Sequence, residues 1–422
     1  MTGASEESGL HHHLRRMTGR DPREEHRVAT PLELLFDLTF VISFGAAAAQ
    51  LAHALAEGHY ATGLIGFGCA GFAICWAWTN FSWFSSAYDT DDWLFRVATM
   101  VQMSGVLVLG LGMPRLFASL EHGVHLDAGM MVVGYVIMRL AMVFQWLRAA
   151  WQDPTRHRAT WTYAILVAAL QLAWIALAVV APPLGTAVAL YGVLALAEVS
   201  APILAEYGEG TPWHAHHIAE RYSLFAIIAL GEGIVGTVAA LSAVVEAQGW
   251  TVDAALACIA GTGLTFGMWW VYYMLPSAEI LHHHRKRAMI WSFGQLAIIT
   301  AIVATGAGLH VAAYFIEHKA HISALATLLC VAVPLGIFLA CIYALYAYLV
   351  RRFDPFHIWL LLGTAAMLAL AIAAAANGVG MATCLLILTL APLVTVIGYE
   401  ALGHRHKLAV LAAQAKGNPH GP

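Results

Sequence analysis

The sequence predicts an all-α fold, a polytopic transmembrane helix bundle of about 12 spans in a tandem six-plus-six repeat of parallel orientation. Three observations predict it: a composition poor in charge, a series of long apolar segments, and basic residues gathered on one side of them. Of the 422 residues, 60% are hydrophobic and 11% are charged, and the mean hydropathy is +0.71. A soluble domain carries roughly 25% charged residues, so these apolar side chains must face lipid. The net charge of −4 offers no basic field, which excludes a nucleic-acid-binding protein.

The apolar segments predict the individual spans, because a helix needs about 20 mainly apolar residues to cross a bilayer. Polar clusters, prolines and glycines separate them. The predicted spans are 31–55, 60–84, 93–113, 128–151, 159–181, 184–206, 216–244, 250–275, 287–312, 321–350, 356–376 and 378–402. Strands of a membrane barrel alternate apolar and polar residues, which these segments do not, so helices are predicted.

Lysine and arginine predict the orientation, because they are enriched in cytoplasmic loops. The residues on one side are Arg15, Arg16, Arg20, Arg23, Arg27, Arg148, Arg156, Arg158, Arg285, Lys286, Arg287, Arg351, Arg352, Arg405, Lys407 and Lys416. The opposite loops hold only Arg115 and Lys319. With an even number of spans, this asymmetry predicts that the polar tails, 1–28 and 404–422, are both cytoplasmic.

Recurring features about 200 residues apart predict an internal duplication. The openings of spans one and seven, 33–40 and 220–227, are similar, and aromatic rows at 76–84 and 269–273 end spans two and eight. Asp153-Pro154 and Asp354-Pro355 follow spans four and ten, and Glu198 and Glu400 lie near the ends of spans six and twelve. We therefore predict two six-helix repeats, 29–208 and 209–403. Six spans per repeat give both the same orientation, with a pseudo-axis along the membrane normal.

Ionisable residues inside spans are costly and mark candidate functional sites. Glu33 and Asp37 lie four positions apart at the start of span one, so they share a helix face. Thr30-Pro31 predicts an N-cap followed by proline at the first helical position. Glu33 then either compensates the helix dipole or serves a functional role, and Asp37 belongs to a functional or buried polar network.

Span seven carries a second group of polar residues, His217, Glu220 and Arg221, followed by Glu232 near mid-bilayer. His217 and Glu220 are neighbours on the helix, whereas Glu220 and Arg221 point in different directions and need separate partners. Glu232 is either a neutral, hydrogen-bonded acid or a proton or cation site. The glycines on either side of it predict close helix approach.

Arg139 is the basic residue deepest inside a span, and arginine cannot lose its proton. We expect a buried ion pair with Asp37, Glu198 or Glu232, which can be purely structural. Glu198 and Glu400 either snorkel or belong to the site, and Asn80 is a possible polar contact within its aromatic row. The row itself is typical of an interfacial belt.

Other patterns point to capping rather than to chemistry. Tyr88-Asp-Thr-Asp-Asp92 lacks the glycine and distal glutamate of a calcium loop, so it predicts a helix cap. Gly231-Glu-Gly233-Ile-Val-Gly236 matches a dinucleotide fingerprint but follows no strand. The sequence contains no His-Glu-x-x-His, Gly-x-Ser-x-Gly or phosphate-loop motif, although His214-Ala-His216-His217 could bind a metal or a haem. We predict no cofactor and favour a protein that is not an enzyme.

Two stretches carry a resemblance to a known family. Glu33-Leu-Leu-Phe36-Asp37-Leu-Thr-Phe-Val and His217-Ile-Ala-Glu220-Arg221-Tyr-Ser-Leu-Phe-Ala-Ile-Ile-Ala-Leu-Gly231-Glu232 resemble the signatures of the bacterial low-temperature-requirement A (LtrA) family, over roughly residues 28–405. The resemblance implies a bacterial inner-membrane protein linked by name to growth in the cold. It implies no substrate. The matching positions are Glu33, Phe36, Asp37, His217, Glu220, Arg221 and Glu232.

Three functions follow as hypotheses. The first is a proton-linked transporter or channel for a small solute or ion, in which Asp37 and Glu232 bind the coupling ion and Arg139 and Arg221 are counter-charges. The second is a non-catalytic membrane scaffold or stress protein. The third is an intramembrane cofactor-binding enzyme that uses the histidines. The expected partners are the lipid bilayer, an unknown small solute or ion, and a further copy of the chain.

Overall fold

The computed structural model describes residues 14–22, 24, 27–351 and 355–403. The described residues are overwhelmingly helical and form no β-strand. Twelve of the described helical segments are long and apolar enough to cross a membrane. The predicted all-α bundle of 12 spans is therefore confirmed. Asp354 and the tail 404–422 lie outside the described residues.

Fourteen α-helices make up the described spans. They are α1 (Pro31–Ala56), α2 (Tyr60–Tyr88), α3 (Trp93–Leu111), α4 (Met113–His122), α5 (Gly129–Gln152), α6 (His157–Val180), α7 (Leu184–Ala205), α8 (Ala215–Gln248), α9 (Val252–Tyr273), α10 (Ser277–His283), α11 (Ala288–Ile316), α12 (Ala324–Val350), α13 (Pro355–Ala376) and α14 (Met381–Gly398). The third span consists of α3 and α4, and the eighth consists of α9 and α10.

The third span extends beyond its predicted end at residue 113. Gly112 separates α3 from α4, and Pro114 lies within the first two positions of α4, where its missing N–H costs nothing. A Cβ atom at Gly112 would lie 2.7 Å from the backbone nitrogen of Met131. Glycine therefore lets this break touch the backbone of α5, and the span continues to His122.

Two helix starts have the predicted caps. Thr30 and Glu33 form a capping box, in which each side chain accepts from the backbone of the other residue. The side chain of Asp92 accepts from the backbone nitrogen of Phe95 at the start of α3. The capping role predicted for the segment 88–92 is thus confirmed.

The two predicted repeats share some of their helix neighbours, although α9 packs extensively on α14 and no contact of that extent joins the equivalent helices α2 and α7. In the first half, α1 contacts α2 and α3, α3 contacts α5, and α6 contacts both α5 and α7. In the second half, α8 contacts α9 and α11, α11 contacts α12, and α13 contacts both α12 and α14. The halves meet where α1 packs against α8 and α11. The six-plus-six duplication remains a prediction with which this pattern agrees only in part.

Glycines allow the tight packing of α8 near Glu232. A Cβ atom at Gly236 would lie 2.6 Å from the carbonyl oxygen of Gly306 in α11, and one at Gly233 would lie 2.5 Å from the Thr265 hydroxyl in α9. Close approach is therefore confirmed at Gly233. Gly231 has no atom within 4 Å of such a Cβ and faces open space instead.

The segment Leu14–Arg20 lies across the ends of α2, α3 and α5, and we call this segment the strap. The backbone nitrogen of Met17 donates to the Gln152 side chain at 2.7 Å, and that of Gly19 donates to Asp153 Oδ2 at 3.2 Å. The Met17 side chain is 0% exposed. This part of the predicted polar tail is packed against the bundle. The end of the bundle that carries the strap is the side on which most of the loop arginines lie, and we call it the arginine-rich face.

Candidate functional site

Four charged or titratable side chains meet where α1 touches α8, and we call them the inter-half cluster: Glu33, Asp37, His217 and Arg221. The Arg221 guanidinium lies 2.9 Å from Glu33 Oε1 and 2.5 Å from Asp37 Oδ1. His217 Nε2 lies 3.2 Å from Glu33 Oε2. All four side chains are 0% exposed. The cluster thus joins the first span to the seventh in the protein interior.

Helix periodicity and capping place these side chains. Glu33 and Asp37 are four positions apart on α1, as His217 and Arg221 are on α8, so each pair lies on one helix face. The backbone nitrogen of Thr30 donates to Glu33 Oε2 at 2.8 Å, which fixes this carboxylate while it also faces Arg221. Glu33 therefore combines the two roles that its position in the sequence left open, cap and ion pair.

A histidine begins α8 next to the cluster. The Nδ1 atom of His214 accepts from the backbone nitrogen of His217 at 3.2 Å, and its Nε2 contacts the carbonyl oxygen of Glu24 at 2.8 Å. Burial lowers the pKa of His214, which favours the neutral ring that such a cap requires. The cap holds the first turn of α8, and with it His217, against α1.

Aromatic side chains enclose the cluster. Trp78 Nε1 donates to Asp37 Oδ1 at 2.7 Å. The Arg221 guanidinium carbon lies 5.6 Å from the Trp78 ring centroid and 5.8 Å from that of Phe81, both within cation–π range. Phe36, a predicted site residue, packs on Phe81 with ring centroids 3.9 Å apart. Phe36 is therefore part of the wall, not a polar ligand.

Several polar atoms of the cluster have no hydrogen-bond partner among the described residues. They are Glu33 Oε1, Asp37 Oδ2, His217 Nδ1, Arg221 Nε and Arg221 Nη1, of which Glu33 Oε1 and Arg221 Nη1 form an ion pair at 2.9 Å. A buried polar atom without a partner costs about 1–3 kcal/mol. Such atoms are concentrated at sites that bind water, protons or ligands.

A second buried ion pair lies inside the first half. Arg139 Nη2 donates to Glu198 Oε2 at 2.8 Å, which selects Glu198 from the three partners considered for Arg139. Trp76 Nε1 donates to Glu198 Oε2 at 2.9 Å, and Trp174 Nε1 donates to Glu198 Oε1 at 3.1 Å. A narrow cavity of about 40 Å³ reaches Glu198 past Tyr135 from the face opposite the strap. Glu198 is thus fully engaged within the protein.

A larger cavity of about 610 Å³ opens at the arginine-rich face between α8, α9, α10 and α11, and we call it the vestibule. Glu220 lines it, next in sequence to Arg221. The Glu220 carboxylate accepts from the backbone nitrogen of Ala29 at 3.1 Å, just before α1 begins. Glu220 therefore connects the vestibule to the backbone that leads into the inter-half cluster.

Asp89 directly follows the last residue of α2 and lies outside the spans. Arg27 Nη2 is 3.9 Å from Asp89 Oδ2, and Arg20 is 4.0 Å away. Burial raises the pKa of Asp89 to about 6, with the Glu33 charge adding to the effect. Asp89 compensates much of the Arg27 charge beside the vestibule.

The remaining predicted residues lie apart from the cluster. Glu232 is 5% exposed, and its carboxylate faces α1 near Gly45, with no hydrogen bond to a described residue. Asn80 donates to the carbonyl oxygen of Trp76 in its own helix at 2.7 Å. The exposed Glu400 accepts from Trp270 Nε1 at 3.3 Å. The structure thus brings Glu33, Asp37, His217 and Arg221 together and leaves Glu232, Asn80 and Glu400 elsewhere.

Sequence reasoning missed the tryptophans that donate to the carboxylates, Trp76, Trp78 and Trp174. The aromatic row at 76–84 contained the signal, because two tryptophans two positions apart point to different sides of a helix. Each finds a different buried carboxylate, Glu198 for Trp76 and Asp37 for Trp78. Within the described residues, no group of three or more histidines, cysteines or carboxylates is placed to hold a metal ion.

Comparisons with known proteins relate this chain to one curated protein and to one family. The chain is 24% identical over 294 residues to an uncharacterised protein, RA0937, of Rhizobium meliloti (strain 1021), which covers 65% of this chain and 67% of that protein. No solved structure matches it significantly. The family model described as bacterial low temperature requirement A protein (LtrA) matches residues 28–392, which include every residue of the inter-half cluster. The chain, a multi-pass membrane protein, therefore belongs to the LtrA family.

Proposed function

We propose that this protein is a proton-linked transporter or channel for a small solute or ion, with the inter-half cluster as its proton-binding site. The observation that carries the proposal is the charge of that cluster. Glu33 and Asp37 provide two carboxylates, whereas Arg221 provides one permanent positive charge. All three side chains are 0% exposed.

Burial favours a protonated form of the cluster. With both carboxylates ionised it would carry a net negative charge, and an uncompensated charge in the interior costs several kcal/mol. One proton, on His217 or on a carboxylate, makes the cluster neutral. The unpartnered atoms His217 Nδ1 and Asp37 Oδ2 are available to share it through water.

The position of the cluster supports coupling to movement. It lies at the contact between α1 and α8, the first helices of the two predicted repeats, and transporter sites lie where repeats meet. The vestibule gives water a route from the arginine-rich face to Glu220, which is the sequence neighbour of Arg221 although Arg221 itself does not line the vestibule. Loss or gain of the proton would change the attraction between the halves.

Proteoliposomes test the proposal. An imposed pH gradient is combined with a panel of small amines, sugars, carboxylates and inorganic salts, added in turn, while an internal dye reports pH. We expect one class of solute to drive proton flux through the wild type, and Asp37→Asn to abolish that flux in folded protein. Glu209→Gln is the matched control, because the Glu209 side chain is 83% exposed at the same face. Flux equal to that of empty liposomes with every solute would refute the proposal.

The same burial favours a second candidate function, a non-catalytic membrane scaffold. Since no side chain of the cluster reaches the vestibule, the four residues also suit a permanent lock between the halves. A lock predicts that Asp37→Asn lowers stability and abundance while no solute moves in either protein.

We also propose that the protein lies in the bacterial inner membrane with both termini in the cytoplasm. The support is the concentration of arginine on the face that carries the strap. Reporter fusions at the two termini test it, since an alkaline phosphatase reporter should be inactive at either end.

A further inference from the structure

The vestibule contains two carboxylates that form no ion pair with a described residue. Glu220 is half-buried and Glu279 of α10 is exposed, and both line the cavity. Among the described residues, no lysine, arginine or histidine nitrogen lies within 4 Å of either carboxylate. Arg27 also lines the cavity, but it is engaged by Asp89 at 3.9 Å and by the carbonyl oxygen of Ser85 at 2.8 Å. The vestibule therefore presents a negative potential.

The polar groups of the aromatic side chains that line the vestibule already donate hydrogen bonds to other residues. Tyr272 Oη donates to Gln295 Oε1 at 3.1 Å, and Tyr273 Oη donates to the carbonyl oxygen of Ser223 at 2.9 Å. Trp291 Nε1 donates to the Ser277 hydroxyl at 3.1 Å. A solute in the cavity consequently meets the rings of these residues rather than their donors. Rings and carboxylates together attract cations and disfavour anions.

Gln295 offers a hydrogen-bond donor at the wall of the vestibule. Its side chain is 1% exposed and lines the vestibule, and its Oε1 atom is occupied by Tyr272. Its amide nitrogen makes no hydrogen bond to a described residue. An amide nitrogen at a cavity wall can donate to water or to an oxygen of a bound molecule.

We propose that the vestibule binds a small organic ammonium compound. Glu220 and Glu279 would neutralise its charge, the ring faces of Tyr272 and Tyr273 would contact its methyl or methylene groups, and Gln295 would donate to an oxygen of the solute. The cavity of about 610 Å³ is in the range of small-molecule sites. The inference deepens the proposed transport function by naming its solute class, and it rests on that function only for movement of the solute, not for binding.

Calorimetric titration of the full-length protein in detergent tests the binding. The probe is choline, and the comparison is dimethylbutanol, in which carbon replaces the charged nitrogen. We expect choline to bind at least about tenfold more tightly than dimethylbutanol, because the shapes match and only the charge differs. Glu279→Gln and Glu220→Gln should each weaken choline binding by about tenfold, and Glu209→Gln should leave it unchanged.

Three results would overturn the inference: no choline binding at millimolar concentration, equal binding of dimethylbutanol, or binding unchanged in Glu279→Gln. Glu279 is exposed and caps no helix, so this variant folds even if Glu220→Gln does not. The titration uses no gradient and no bilayer. Carboxylate-dependent choline binding without any flux would sustain this inference while refuting the transport proposal.

Discussion

Arg221 donates to Asp37 at 2.5 Å across 184 positions of sequence, and the same guanidinium lies 2.9 Å from Glu33. One cation thus serves two carboxylates, so the loss of each partner has a different consequence. Removal of the arginine leaves both carboxylates unpaired in the interior. Removal of one carboxylate leaves a neutral pair.

We therefore expect Arg221→Gln to destabilise the protein by about 3–5 kcal/mol, because uncompensated charges remain buried. Asp37→Asn should cost less, about 1–2 kcal/mol, since it removes charge-assisted hydrogen bonds but leaves Glu33 paired with Arg221. Thermal unfolding in detergent measures both losses. The double variant Asp37→Asn/Arg221→Gln should unfold at a higher temperature than Arg221→Gln alone. A larger loss from Asp37→Asn than from Arg221→Gln would contradict the charge count.

Glu198 and Glu400 provide a second comparison, because each accepts from a tryptophan but only Glu198 is buried. Glu198→Gln should cost about 3–5 kcal/mol, since Arg139 keeps a charge that nothing balances. Glu400→Gln, an exposed substitution, should stay within about 0.5 kcal/mol. If the two variants unfolded with equal midpoints, the ion pair between Arg139 and Glu198 would contribute nothing measurable to stability.

The packing of the strap predicts that Met17 contributes to stability, although it lies in a segment that the sequence marks as a polar tail. Met17→Ala should destabilise by about 2–5 kcal/mol, because the side chain is 0% exposed and its loss leaves a cavity. Leu14→Ala is the control, as Leu14 is 58% exposed, and should change stability by no more than about 0.5 kcal/mol. Limited proteolysis of the strap offers a second readout, with faster cleavage expected in Met17→Ala alone.

The raised pKa of Asp89 predicts that the stability of the folded protein depends on pH. Burial raises its pKa in the folded protein to about 6, above a value of about 3.9 in the unfolded chain. Between these values the folded state binds more protons, so stability falls as pH rises from about 4 to about 6, by on the order of 3 kcal/mol. Asp89→Asn should remove this part of the profile. An identical slope in wild type and variant over that range would refute the assignment to Asp89.

Two glycines of α8 differ in what surrounds them. Gly236→Ala should cost about 1–3 kcal/mol, because its Cβ would lie 2.6 Å from the Gly306 carbonyl oxygen of α11. Gly231→Ala meets nothing within 4 Å and should stabilise the helix by up to about 1 kcal/mol. Melting temperatures that shift in the same direction for both would contradict the packing of α8 on α11.

Much of the architecture could be predicted from local pattern. Span length and hydropathy predict the 12 helices, and the caps at Thr30 and Asp92 follow from residue type and spacing. The depth of Arg139 restricted its partner to three carboxylates. These predictions succeed because they depend on a single helix and on the cost of burying charge in a bilayer.

Other features depend on contacts between distant segments. The choice of Glu198 for Arg139 required the arrangement of α5 against α7, which no spacing encodes. Met17 reads as part of a polar tail, but its side chain belongs to the hydrophobic core, and hydrogen bonds from the strap to Gln152 and Asp153 hold it there. The tryptophan donors were assigned to an interfacial belt because aromatic rows occur there for reasons of solvation alone.

The distance along the chain between Asp37 and Arg221 also has a consequence during synthesis. At roughly 5–20 residues per second, residue 221 is made roughly 10–40 s after residue 37. For that interval the first span contains Glu33 and Asp37 without their arginine. It must either wait at the membrane surface or enter with its carboxylates protonated until the second half of the chain supplies Arg221.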